Sequence, residues 1–154
     1  MNAIEIEEAV SSLALASFDP AEFPYSFLMA FGNKETTIKR LRSGASNKSD
    51  VGGVLQTNNL HIAIAQAGGV TQCLKSLKDS PATAKGKVRF IVSTDGADFE
   101  AEDIDTGETI ACAFQDFPDH FGFFLPLAGI STVKQIRESS FDIRATSRDR
   151  KSVV

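Results

Sequence analysis

Ile6, Val10 and Leu13 recur at helical spacing near the start of the chain, and Glu5, Glu7 and Glu8 lie in the first turns, where carboxylates suit the helix dipole. This predicts a helix from about Ala3 to Ser17. Asp19-Pro20-Ala21-Glu22 then has the form of a helix start: a cap, Pro at the first position and Glu at the third. Phe23, Phe27 and Phe31 fall on one face of this second helix, Gly32 ends it, and Pro24 is early enough to be tolerated. Asn33 caps a third, short helix to about Ser43, with Gly44 as its stop. The small polar residues of 45–53 form a loop.

Beyond this loop the pattern changes. Val54–Gln56 and Leu60–Ala65 read as two strands joined by Thr57-Asn58-Asn59. Gly68-Gly69 breaks the chain, Val70 to Leu77 is helical, and a loop follows at Pro81. Val88–Val92 is a buried strand. Asp95-Gly96 turns it into Phe99–Asp103, which pairs with Thr109–Phe114 around Asp105-Thr106-Gly107. Asp116–Gly129 is an aromatic packing segment, Ser131–Ser139 a last helix, and the chain from Thr146 a polar tail. Leading helices, a short β-pair, a crossover helix and a returning hydrophobic strand define an α/β sandwich. Its order resembles the restriction-endonuclease-like, PD-(D/E)xK core with added N-terminal helices.

Composition narrows the choice of function. The 154 residues are 42% hydrophobic and 23% charged, which suits one globular domain. The net charge of −4 supplies no global field for nucleic acid, so any DNA contact is local. Cys73 and Cys112 are too few and too far apart in sequence for a zinc site and are expected as free thiols. The acidic N-terminus lacks a targeting signal and no apolar run is long enough to span a bilayer, which predicts a cytoplasmic protein with no membrane partner.

The chemistry is defined largely by what the strands omit. A nuclease of this type needs an acidic residue and then Asp/Glu-x-Lys on the next strand, to hold Mg²⁺ and orient water. Neither Gly53–Thr57 nor Leu60–Gln66 carries a carboxylate or a Lys, and Asp50 in the preceding loop is one carboxylate alone. Asp149-Arg150-Lys151, with Pro118-Asp119 upstream, fits the bare pattern but lies in the tail. His61 alternates with Ile62 and Ile64 and is expected on the opposite face as a packed or solvent-edge histidine, and His120 in a structural hydrogen bond. The acidic run from Asp95 to Glu108 lacks calcium-loop spacing and is expected as a solvated hairpin face. No catalytic or metal-binding residue is therefore assigned. Lys34, Lys39, Arg40, Arg42 and Lys48 lie close together and are the candidate DNA-binding residues, able to grip a few phosphates; the alternative is a solvated helix face whose last-turn charges offset the helix dipole.

Two longer segments carry a family likeness. Phe31–Leu41 and Gly53–Ala63, extended by Asp116–Gly129 and Phe141–Thr146, resemble the N-terminal domain of large bacterial class I SAM-dependent DNA methyltransferases of the type IIL restriction–modification group, the MmeI-like enzymes. The resemblance covers residues 1–148 and leaves 149–154 as a short polar tail. It implies a nuclease-like domain whose parent adds a helical connector, an adenine-N6 methyltransferase and a target-recognition domain. SAM, Mg²⁺ and DNA are implied for the full-length protein, with no cofactor assigned to this chain. The Asn/Asp-Pro-Pro-Tyr/Phe motif of the methyltransferase is absent from the sequence, which together with the abrupt end predicts a truncated form. The expected role is an inactive nuclease-like module contacting DNA or protein; an active Mg²⁺-dependent endonuclease and a functionless remnant are the alternatives. If the basic helix grips phosphate, Arg40→Ala combined with Arg42→Ala weakens DNA binding and flattens its salt dependence, measured by fluorescence anisotropy across a salt series.

Overall fold

The computed structural model describes residues 2–129. The helix expected at Ser131–Ser139, the polar tail and Asp149-Arg150-Lys151 lie outside the described residues. Three helices come first: α1 (Ala3–Leu15), α2 (Phe23–Ala30) and α3 (Glu35–Arg42). Asn2 caps α1 in a reciprocal box, its side chain accepting from the Glu5 N–H and the Glu5 carboxylate accepting from the Asn2 N–H, both at 2.9 Å. The second helix starts later than its Asp-Pro signature suggests. Asp19 accepts from the Ala21 N–H in a separate turn, and Pro24 takes an early position in α2. Asn33 does not cap α3, because its side chain is engaged elsewhere: it donates to the Leu28 carbonyl at 3.1 Å and accepts from Gln56 Nε2 at 2.8 Å.

The strands β1 (Val54–Gln56), β2 (Leu60–Ile64), β3 (Phe90–Thr94), β4 (Asp98–Asp103) and β5 (Thr109–Ala113) form one sheet in the order β1-β2-β3-β4-β5. Among the described residues, only β2 and β3 run parallel, with Leu60 opposite Phe90 and Ile64 opposite Thr94. That pairing needs a crossover, supplied by α4 (Val70–Asp79) and α5 (Pro81–Lys85). Helix α5 replaces the loop expected at Pro81. Ser80 caps it by accepting from the Ala82 N–H, and Pro81 takes the first helical position, where its missing N–H costs nothing. The fold is thus mixed α/β with a five-stranded mixed sheet.

Strand alternation sends the apolar side chains to two unequal cores. Val54, Leu60, Ile62, Phe90, Val92, Phe99, Ala101 and Ile110 face α1, α2, α3 and a 3-10 segment, Phe114–Ala128. Leu55, Ala63 and Ile91 face the crossover side, with Leu77 and Val88. The larger core is filled by phenylalanine. Phe27 lies 5.0 Å from Phe31, 5.2 Å from Phe124 and 5.9 Å from Phe23, centroid to centroid, and Phe99 stacks on Phe117 at 4.8 Å.

The acidic run is not one solvated face. Asp103 is buried and pairs with Arg89 at 3.0 Å, Glu102 pairs with Lys78 of α4 at 3.0 Å, and Glu100 accepts from Thr71 Oγ1 at 2.6 Å. The Glu102 and Glu100 contacts fasten α4 to the sheet, and Asp103 ties β4 to the residue before β3. Both cysteines are free thiols, and burial pushes the Cys112 thiol up. His120 is exposed at a non-helical bend in the 3-10 segment. Among the described residues, no helix is long and apolar enough to cross a membrane. Because Phe27 is fully buried among so many rings, Phe27→Ala is expected to cost about 3–5 kcal/mol in urea unfolding.

Candidate nucleic-acid interface

The edge that carries the candidate residues is built around one buried histidine. His61 points from β2 toward the crossover side, as its alternation with Ile62 predicts, and has no exposed surface. A buried imidazole must pair both nitrogens. Its Nδ1 lies 2.8 Å from Thr83 Oγ1 of α5, and its Nε2 lies 2.8 Å from Ser49 Oγ of the loop before β1. The partners determine the tautomer. Thr83 spends its one proton on the Leu77 carbonyl at 2.7 Å, so Nδ1–H must donate to Thr83 and Ser49 must donate to Nε2. Ser49 Oγ in turn accepts from the N–H groups of Val51 and Gly53.

This Ser–His contact has the outline of a nucleophile and base, but its chemistry is that of an anchor. Burial lowers the His61 pKa to about 4, with Asp50 opposing the shift. Such an imidazole is a weak proton acceptor at neutral pH. The Ser49 oxygen is also taken up by two backbone donors. What the contact does is hold the loop. Asn47 Oδ1 accepts from the N–H groups of Ser49 and Leu55, and Asn47 Nδ2 donates to the Gly53 carbonyl. Asp50 accepts from Ser80 Oγ and the Ala82 N–H, and these bonds, Ser80 first, hold its carboxyl below the usual range. Gly53 itself has no room for a side chain, since a Cβ there would stand 2.3 Å from the Ile62 carbonyl oxygen. Asn47, Ser49 and Asp50 thus turn to internal partners, while exposed Lys48 lines a cavity of about 480 Å³ with Asp50, Thr57, Lys85 and Gly86.

The five candidate DNA-binding residues do not form one patch. At about 100° per residue, Lys39 and Arg42 fall on one flank of α3, and Thr37 and Arg40 on the other. Arg42 pairs with Glu22 and lies over the Tyr25 ring at 4.4 Å, so it is committed to α2. Arg40 lines a cavity of about 250 Å³ with Thr37, Ser46, Gln56 and Thr57. Thr57 lines the Lys48 cavity as well, so Arg40 and Lys48 belong to one edge of the molecule. Lys34 is exposed next to Asn33, whose side chain holds Gln56. Lys85 and Lys87 escaped the sequence reading because they lie far along the chain; the Ser80-Pro81 helix start was the signal that could have found α5.

A Mg²⁺ site on the β1–β2 pair is not supported by its donors. The register pairs are Val54 with Ile62, Leu55 with His61, and Gln56 with Leu60. None is a carboxylate, and the Asp50 oxygens and His61 nitrogens are already engaged. Among the described residues, no cluster of three or more His, Cys, Asp or Glu side chains could hold a metal.

A mixed α/β domain with a polar-anchored cationic edge and a strand hairpin without carboxylates is the class these features define. Residues 1–148 match the family model "MmeI, N-terminal domain", and the chain belongs to that family. It is similar to DNA methyltransferase A of Bacillus subtilis (strain 168), with 28% identity over 149 residues, covering 96% of this chain and 17% of that protein. The chain thus spans 17% of the length of that relative. No solved structure matches it.

The His61 anchor has a pH signature. The unfolded chain takes up a proton near the ordinary value of 6.5, whereas the folded chain does so only near about 4. The stability of the neutral anchor is therefore complete above about pH 6.5 and is lost progressively as pH falls toward about 4. Between pH 7 and about 4.5 the protein is expected to lose about 2–3 kcal/mol more than His61→Gln, by urea unfolding. Equal losses would show that the imidazole does not carry this dependence.

Proposed function

We propose that this chain is the non-cleaving, nuclease-like N-terminal domain of a larger DNA-methylating protein, and that it contacts the DNA backbone. The observation that carries the proposal is the family match over residues 1–148 combined with a β1–β2 pair that lacks every carboxylate and Lys of the cleavage motif. A restriction-endonuclease-like core is supported by the strand hairpin, the crossover helices and the parallel return to β3. The relative's name, DNA methyltransferase A, supports a parent that acts on DNA with SAM, which its methyltransferase domain would bind. In that parent, the domain 1–148 would pack against the methyltransferase and target-recognition parts and add phosphate contacts. Mg²⁺ has no role in this reading of the chain's own residues. The cytoplasm is the compartment consistent with DNA as partner.

Incubation of the purified chain with supercoiled plasmid and Mg²⁺ is expected to leave the plasmid intact. Cutting that co-purifies with the chain and disappears with EDTA would overturn the proposal in favour of an active endonuclease.

A further inference from the structure

We infer that the phosphate-binding track runs across the β1–β2 turn and that Lys85 and Lys87, beside it, complete it. This rests on the DNA-contact reading above and gives that contact a different address from the basic helix alone. The turn Thr57-Asn58-Asn59 is stitched to the end of the crossover by backbone bonds. The Asn58 N–H donates to the Gly86 carbonyl at 2.8 Å, and the N–H groups of Arg89 and Phe90 donate to the Asn59 carbonyl at 3.2 and 3.0 Å. Lys85 and Lys87 flank Gly86, so they sit beside the turn; Lys85 shares a cavity with Lys48 and Thr57, and Arg40 lines a second cavity with Thr57. Four exposed cations from three separate stretches of chain thus surround one turn.

Their surroundings favour phosphate. Among the described residues, none of the four makes an ion pair, and the one carboxylate lining either cavity, Asp50, accepts from Ser80 and Ala82. The backbone beneath them is fixed. Asn47, Ser49 and Asp50 hold the Lys48 loop, and Lys87 is kept at φ 52, a left-handed conformation that a non-glycine residue adopts at a cost. Cations on a fixed frame lose less freedom when they grip an anion. Among the described residues, neither cavity is lined by an aromatic ring on which a base could stack. That points to duplex backbone rather than to single strands, which are bound through stacking.

The test is the salt dependence of binding of the complete chain to a fluorescent DNA duplex. Lys85→Gln with Lys87→Asn removes both charges, and Asn tolerates the left-handed backbone. Each phosphate contact contributes about 0.9 to the slope of log K against log salt, so this variant is expected to bind more weakly with a slope smaller by about 1–2. Lys85→Arg with Lys87→Arg is expected to keep the slope, and Lys39→Ala with Arg42→Ala to leave it unchanged. A single strand of the same length is expected to bind more weakly than the duplex. If the chain binds duplex and the Lys85/Lys87 variant, folded by circular dichroism, keeps the full slope, the track is wrong while the DNA-contact reading stands. Tighter binding of the single strand overturns the duplex assignment. If the unaltered chain binds no DNA at low salt, both fall.

Discussion

His61 has no exposed surface, and an imidazole in that position can be neither unpaired nor charged without a large penalty. It meets this constraint by fixing one proton on Nδ1 and joining two pieces of chain that would otherwise be independent, the loop before β1 and the short helix α5. Much else at this edge follows. Ser49 is oriented by the histidine, the N–H groups of Val51 and Gly53 are satisfied by Ser49, and Asp50 reaches across to cap the start of α5. The cations on the surface inherit their positions from the polar network beneath them.

The two faces of the sheet divide the labour. The face covered by α1, α2, α3 and the 3-10 segment is a phenylalanine core with little polar content, and it stabilises the domain by burial. The crossover face has a smaller apolar core and more polar fastening: Glu100 and Glu102 hold α4, while His61 holds α5. Buried polar networks specify one arrangement because every alternative leaves a donor or acceptor unpaired. The cationic edge lies where this more exacting face meets the turns.

Most of the fold was legible in the sequence because alternation and helical spacing are local signals. The strands, the hairpin around Gly107, and the opposite facing of His61 and Ile62 all follow from them. Short elements defeat such reasoning. Helix α5 has five residues, too few to show a period, and Pro81 looks like a breaker when it is in fact a helix-starting residue. Asn33 has the chemistry of a cap, but a more distant partner, Gln56, claims it. The candidate interface was only half legible for a similar reason. Proximity in sequence grouped Arg40 with Arg42, which helix geometry places on opposite flanks, and separated Lys48 from Lys85, which the crossover brings to one cavity.

The parallel pairing of β2 with β3 joins two stretches of chain, α1 through β2 and β3 through the 3-10 segment, which also share the phenylalanine core. Joining them requires closing the loop through α4 and α5, so on entropic grounds the seam forms after the hairpins on either side. Arg40 and Lys48 belong to the first stretch, whereas Lys85 and Lys87 sit at the entrance to the second. The cationic edge therefore does not exist in a half-folded chain. Only a domain with a closed seam gathers these four cations about one turn, so their grouping reports that folding is complete.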